Sequence, residues 1–485
     1  MDITKRPLSH GWRLLALLAL FAWPLQGALA ASSEDEEIAI EEDGGEAPAI
    51  EEGGDAGTDG ELVIDEGEAA DEAPVAEAEE EAPPIAGAGG WRFGLDDVRL
   101  EYGQQLRSDS RAERLLYGKL AVALDGNLTP NWELKLSGRV DGYDQSGAAD
   151  WSELRFDYGD SYLRYRGDGF RLTVGAGTVI WGRMDELPLS DRVSTADLTR
   201  FILDDLADRR RAAPLVRLET DLGEGRLDLV WLPDFRPAEL PDPDSIWYPV
   251  DRARGRVLGV SPADLPPAAV QAATLDEHEP DGAGGFGLRY TASPFFGDIG
   301  LTIAHSRRSI PYYRLAGGTL RTEYPRSWAF GADTAIDAAG ITWRAELVYS
   351  SDNPVTRRGG AYTTTEAVDW GLGMEMHPGD GDTRINLQLI GSNLVDPPAI
   401  IDRTQAYSFN GKIDVPFDRA RWRASLDFYV GLDKRDLYLN PELTFLGWEP
   451  HELYLSAHFF SGDDDTLGGF HKEHDSVNLG WRARF

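Results

Sequence analysis

The side chains best equipped for chemistry in this sequence are arginines and carboxylates set close together. One run reads Trp181-Gly182-Arg183-Met184-Asp185-Glu186-Leu187-Pro188-Leu189-Ser190-Asp191-Arg192, and a triple arginine, Arg209-Arg210-Arg211, follows it. A guanidinium is a planar fork of donors that fits a carboxylate or phosphate with two bonds, so such residues can hold or sort acidic groups without reacting with them. Arg183, Asp185, Glu186, Asp191, Arg192, Arg209, Arg210 and Arg211 are the candidates for that task. Catalytic sets are poorer. The 485 residues contain no Cys, which removes thiol catalysis, Cys-based metal sites and c-type haem attachment. His305 precedes Ser306, but neighbours on a strand point to opposite faces and cannot pair as nucleophile and base. His471 and His474 stand near Asp463-Asp464-Asp465, and this cluster reads as a solvated loop rather than a metal site. With no phosphate-binding loop and no dinucleotide fingerprint, no catalytic residue, metal or cofactor is assigned, and the chain is not read as an enzyme. The formal net charge of -37 disfavours a nucleic-acid partner.

The elements that must position these charges alternate with period two. From Trp91 onward, runs of ten to thirteen residues place apolar and polar side chains on opposite faces and end in turns. Trp132, Leu134, Leu136, Gly138 and Val140 make one apolar stripe, with Glu133, Lys135, Ser137, Arg139 and Asp141 opposite. Phe170, Leu172, Val174, Ala176 and Ile180 make another, as do Val368, Trp370, Leu372, Met374 and Met376, and the run Trp422, Ala424, Leu426, Phe428, Val430 and Leu432. Strands with one greasy and one charged face fit an all-β, antiparallel transmembrane barrel whose charged face lines the lumen. Eighteen candidate strands follow, the first at about 95–106 and the last at about 473–485, with boundaries good to roughly 2–4 residues. Links after even-numbered strands are short, such as Gly223-Glu224-Gly225 and Glu449-Pro450, and links after odd-numbered strands are mostly longer, as periplasmic turns and outer loops would be. On this register Arg139, Arg155, Arg171, Arg217, Arg344, Arg384, Arg423, Asp369 and Glu375 are candidate pore-lining residues, either as wall salt bridges or as a track for solute. Trp132, Phe170, Trp422 and Phe485 would ring the inner rim, and Trp151, Trp181 and Tyr349 the outer one.

Two long loops carry the functional interest. In 182–213, Ser194 is placed to cap a helix through Thr195–Leu206, with Asp197 in its first turn and arginines at its end, in agreement with the helix dipole. The expectation is an inward fold that narrows the pore, against an external loop with a solvated charged face. In 236–284, Trp247 and Tyr248 sit among Pro, Ala and Asp. This loop reads as a lid, a surface-binding loop or a disordered outer loop.

Residues 1–30 read as a signal peptide, with Lys5, Arg6 and Arg13 before an apolar run from Leu14 to Phe21 and Ala28-Leu29-Ala30 before the cut. Residues 31–90 hold 22 Asp and Glu and no Lys or Arg, and read as a disordered acidic periplasmic segment with a possible basic partner in the periplasm. Residues 91–485 are the barrel. Its last strand alternates Val477, Leu479, Trp481, Ala483 and Phe485, which resembles the signal read by the outer-membrane barrel-insertion machinery; Trp481 and Phe485 carry it. The expected location is the outer membrane of a Gram-negative bacterium, with its lipid and lipopolysaccharide as surroundings.

The strand plan and the run Gly175-x-Gly177-x-x-x-Trp181-Gly182-Arg183-x-Asp185 resemble porin-like bacterial outer-membrane barrels of the alginate-export and related uncharacterised classes. That resemblance implies an outer-membrane channel for passive transport of a polar or acidic solute, or for export of a polymer. The alternative is a barrel that serves as scaffold or sleeve of an envelope complex, recruited through the acidic tail.

Overall fold

Alternating sequences of this kind bury one face only if the sheet curls on itself, and the computed structural model, which describes residues 90–485 apart from Glu186 and Asp380, has that form. The signal segment, the acidic tail and the partner read from it lie outside the described residues. Among the described residues the barrel strands are β1 (Trp91–Gln105), β2 (Ala112–Thr129), β3 (Trp132–Gly147), β4 (Trp151–Tyr158 and Ser161–Gly167), β5 (Phe170–Gly177), β6 (Ala213–Leu222), β7 (Gly225–Leu232), β8 (Gly285–Ala292) and β9 (Asp298–Arg307). They continue as β10 (Arg326–Ala338), β11 (Ile341–Thr356), β12 (Tyr362–Met376), β13 (Arg384–Val395), β14 (Gln405–Phe417), β15 (Trp422–Gly431), β16 (Asp436–Trp448), β17 (His451–Gly462) and β18 (Ser476–Arg484). The two stretches of β4 pair with successive parts of β3, so they are one strand interrupted at Gly159-Asp160, and the barrel has eighteen strands. Every neighbour pair is antiparallel, and β18 pairs with β1 from Asp97↔Arg484 to Gln105↔Ser476, which closes the barrel.

The eighteen expected strands are the eighteen observed, with β2 and β11 longer than the alternation suggested. The expected short links are tight turns; Gly223 and Gly340 supply the left-handed backbone these turns need, at φ 64° and 74°. The outward face is apolar, with Phe93, Phe156, Leu301, Leu347, Leu372 and Leu479 all exposed. At the end with the short turns Trp132 stacks near Tyr165 and Tyr165 near Phe170, while Trp422 sits between Phe417 and Phe445. That inner rim agrees with the sequence.

The outer rim departs from it. Tyr349 faces outward near Phe330, but Trp151 stacks on the buried Tyr143 inside the barrel. Trp181 is also inside, because β5 ends at Gly177 rather than running on through Ile180. Asp160, at the break in β4, accepts from the N–H of Thr178 at 2.9 Å and from its hydroxyl, and turns the chain inward there.

Candidate functional site

The chain that leaves β5 does not return along the outside. Residues 178–212 cross the lumen and meet strands from most of the barrel's circumference. Trp181 enters first, 3% exposed among Val179, Val193, Leu215, Val230 and Leu232, with its indole N–H donating to Asp228 at 2.7 Å. Asp191 accepts from the N–H of Trp181 and of Gly182 and pairs with Arg210, which folds the segment back on itself. Glu346 on β11 then holds the turn that follows. Its carboxylate accepts from the backbone N–H groups of Arg183, Met184 (2.8 Å), Leu189 (2.9 Å) and Ser190 (3.1 Å), and from the Ser190 hydroxyl. Backbone donors bound to a buried carboxylate make charge-assisted hydrogen bonds, the stronger kind.

Side chains of the segment then pair outward with the wall. Arg183 reaches Asp333 at 2.5 Å and Asp298 at 3.3 Å. Asp185 lies between Arg344 (2.8 Å) and Arg384 (3.3 Å) and also accepts from Asn386. Arg192 meets Asp369 at 2.7 Å, and Arg211 meets Asp157 at 2.9 Å. On the opposite wall Arg200 donates to Glu101 of β1 at 2.8 Å, and Asp204 bonds Arg99 at 3.0 Å. Asp208 takes Lys119 at 3.0 Å, and Asp197 takes Arg139. The inward expectation for this segment therefore holds.

The helix expected over Thr195–Leu206 does not form. Thr195–Ala196 pairs with Arg210–Arg211 as a two-residue ribbon, and only Phe201–Leu203 makes a single 3-10 turn. The groups that would have capped a helix are used elsewhere. The Ser194 hydroxyl donates to the Val179 carbonyl, and Asp197 accepts from the Thr199 N–H (3.1 Å) and hydroxyl (2.7 Å), a turn two residues long. Anchors all round the wall hold the segment extended and override a weak local propensity.

Of the expected constriction residues, Arg183, Asp185, Asp191, Arg192, Arg210 and Arg211 are all tied into this web, and Glu186 lies outside the described residues. Arg209 has no ion-pair partner among the described residues. The expected lining residues all face inward, and most are wall salt bridges: Arg171 with Glu219 at 2.6 Å, Arg217 with Asp228 at 3.0 Å, Arg155 with Glu153 at 2.8 Å, and Arg344 and Arg384 with Glu375 at 2.8 and 2.9 Å. Among the described residues Arg423 has no ion-pair partner, nor has Lys135 on β3. Sequence reasoning missed the role of Glu346 and passed over Arg99, Glu101, Arg200 and Asp204; the inward alternation Asp97-Arg99-Glu101 on β1 was the available signal for the β1 members.

On the short-turn side of the crossing segment lies a cavity of about 370 Å³. Lys119, Lys135, Arg139, Arg210, Arg211 and Arg484 line it, with Asp96, Asp97, Asp157, Asp160 and Asp208 among them. Basic and acidic groups are nearly balanced there.

On the long-loop side residues 233–284 fold into a cap. Tyr248, Val250, Val257, Val270, Ala273 and Leu320 form its core, with Thr274–Asp276, Thr319–Glu323 and Tyr312–Ala316 as a small sheet. Trp247 is clamped against Phe460, His471 and His474, and Arg256 bonds Glu473 at 2.9 Å. His471 and His474, read from sequence as a solvated pair, are both buried, with Nδ1 atoms 3.1 Å apart. Burial pushes His471 well below its usual range, helped by His474 and Arg256. Burial also pushes His474 down to about 3, with Arg254, Arg256 and Arg111 adding to it.

Both rings are thus neutral in the folded cap, while the unfolded chain takes protons near the ordinary value of about 6.5. The stability this contributes is fully present above the ordinary imidazole value and is lost as pH falls below it toward the depressed folded values. The cap should loosen between neutral pH and about pH 4 in wild type. Limited proteolysis of 233–284 across that range measures it. A double variant, His471→Asn with His474→Asn, should lose the acid sensitivity; an unchanged cleavage profile would refute the assignment.

No family model and no curated protein matches the chain. Among solved structures it is similar to the Pseudomonas aeruginosa proteins OccK3 (OpdO), at 10% identity over 82% of this chain and 96% of that one with a TM-score of 0.48, and OccK5 (OpdH), at 10% identity over 81% and 98% with a TM-score of 0.46. It is also similar to the outer membrane channel DcaP of Acinetobacter baumannii, at 11% identity over 82% and 98% with a TM-score of 0.40.

Proposed function

We propose that the chain is an outer-membrane channel that lets a small polar or acidic solute cross passively, with residues 178–212 as the constriction. The observation that carries this reading is the crossing segment itself. A closed barrel with an apolar outside needs no such web for stability in lipid, whereas a size- and charge-selecting passage needs a rigid inward loop. The apolar outer face and the aromatic inner rim support the membrane location.

The paired arginines of the wall mostly cancel against carboxylates. The charge that a passing solute meets is then weighted toward the cations that have no ion-pair partner among the described residues: Lys135, Arg209 and Arg423. In planar bilayers under a salt gradient, the triple variant Lys135→Gln, Arg209→Gln, Arg423→Gln should move the reversal potential toward cation selectivity. A reversal potential identical to wild type would show that these cations do not face the conducting path. The absence of any single-channel current in wild type would overturn the channel reading itself.

A further inference from the structure

Two arginines stand side by side on the outer surface of the barrel. On β9 the side chains of Gly300, Thr302, Ala304 and Ser306 face inward, and Leu301 and Ile303 are exposed on the outer face, so His305 and Arg307 lie in the outward row. On β10 the outward row is Arg326, Trp328 and Phe330. The register pairs Arg307 with Arg326 and His305 with Trp328. Two like charges are therefore set side by side at the long-loop rim, on the barrel's outer surface.

Neither has a carboxylate partner within salt-bridge distance among the described residues. Each is held by a backbone carbonyl instead: Arg307 donates to Tyr324 at 3.1 Å and Arg326 to Ala283. The Arg307 guanidinium also lies over the Phe235 ring, 5.9 Å from its centroid, and its buried Nε has no acceptor. Immediately below lies a plate of rings, of which Phe286, Trp328 and Phe330 are exposed and His305 is half-buried. His305 stacks on Trp328 at 4.6 Å, Phe286 meets Trp328 edge-on at 5.9 Å, and Phe330 lies parallel to Trp328 at 6.2 Å. Amphipathic rings of this kind mark the level where acyl chains give way to headgroups.

Oriented arginines with spare donors, fixed at headgroup level and short of a counter-charge, match a phosphate that itself sits at that level. We infer that Arg307 and Arg326 form a binding site for the phosphate of a phosphorylated glycolipid in the outer leaflet, with the ring plate of Phe286, His305, Trp328 and Phe330 lying against its sugar or proximal acyl chains. This inference rests on the outer-membrane reading above.

The test is native mass spectrometry of the refolded full chain in detergent, offered bisphosphorylated lipid A or the same lipid with its phosphates removed. Wild type should retain the phosphorylated form with a preference of roughly tenfold or more, the worth of at least one charge-assisted hydrogen bond. Arg307→Gln with Arg326→Gln should lose that preference, and Arg307→Lys with Arg326→Lys should keep part of it. Equal retention of both lipids by wild type would overturn the site without any variant having to fold. Displacement of the lipid by an equal concentration of inorganic phosphate would also overturn it, by showing a free-anion site. Sedimentation of the wild-type protein with outer membranes in a sucrose gradient tests the location separately, so a failed site and a failed membrane reading give different results.

Discussion

Replacing Glu346 by Ala should raise single-channel conductance several-fold and make the current noisy. Among the described residues this carboxylate is the only wall group that takes four backbone N–H groups of the crossing segment, those of Arg183, Met184, Leu189 and Ser190, together with the Ser190 hydroxyl. Glu346 is 3% exposed, so its loss leaves those donors facing a space with few acceptors. Each donor left without a partner costs about 1–3 kcal/mol until water reaches it. The barrel strands keep their own ladders, so the segment should come away from the wall while the barrel persists. Arg183 and Asp185, within that turn, would lose the geometry that brings them to Asp333 and Arg344. Glu346→Gln keeps one carbonyl oxygen and should fall between. A conductance unchanged in both variants would mean that the turn is not part of the narrowing.

The second large effect belongs to the opposite wall. Glu101 accepts from Arg99 at 2.9 Å, Arg200 at 2.8 Å and the Tyr454 hydroxyl at 2.6 Å, and Arg200 also lies over the Tyr117 ring at 3.9 Å. Glu101→Ala leaves two buried guanidiniums, Arg99 and Arg200, sharing Asp204 as their nearest carboxylate, and breaking a buried pair from one side typically costs about 3–5 kcal/mol. The melting temperature should drop clearly. Adding Arg200→Met to that variant should restore part of the loss, because one under-compensated charge goes with it and Asp204 is left to Arg99 alone. If the double variant is as unstable as the sum of the two single ones, Glu101 and Arg200 are not coupled and the network is a set of separate contacts.

These two anchors also show what was readable in the sequence. The eighteen strands, their register and the inward arginines were visible because strand alternation is local and repeats every two residues. A slip of one residue would put every charge into lipid. The path of 178–212 was not visible. Ser194, Asp197 and the arginines looked like the two ends of a helix, and nothing nearby in sequence indicated that Ser194 would bond Val179 or that Asp197 would reach Arg139. Alternation with Arg344 puts Glu346 on the inward face, but one carboxylate among many gives no sign that its partners are backbone groups from a segment over 150 residues away. Trp181 was misplaced for a related reason: an aromatic at the end of an alternating run has the pattern of a rim residue, and only the turn at Asp160 and Thr178 sends it inward.

The pairing of β1 with β18 has a consequence for how such a chain comes together. Adjacent strands elsewhere are joined by turns or loops and can zip as hairpins, but this seam joins Asp97 to Arg484, residues near opposite ends of the described chain. Contacts so distant in sequence form slowly, and until they do, the curled sheet carries two raw margins of unpaired backbone. Either margin is a template for a strand of another copy, so the time spent unsealed sets the risk of tangled assemblies. Slowing the sealing step should therefore harm yield more than stability.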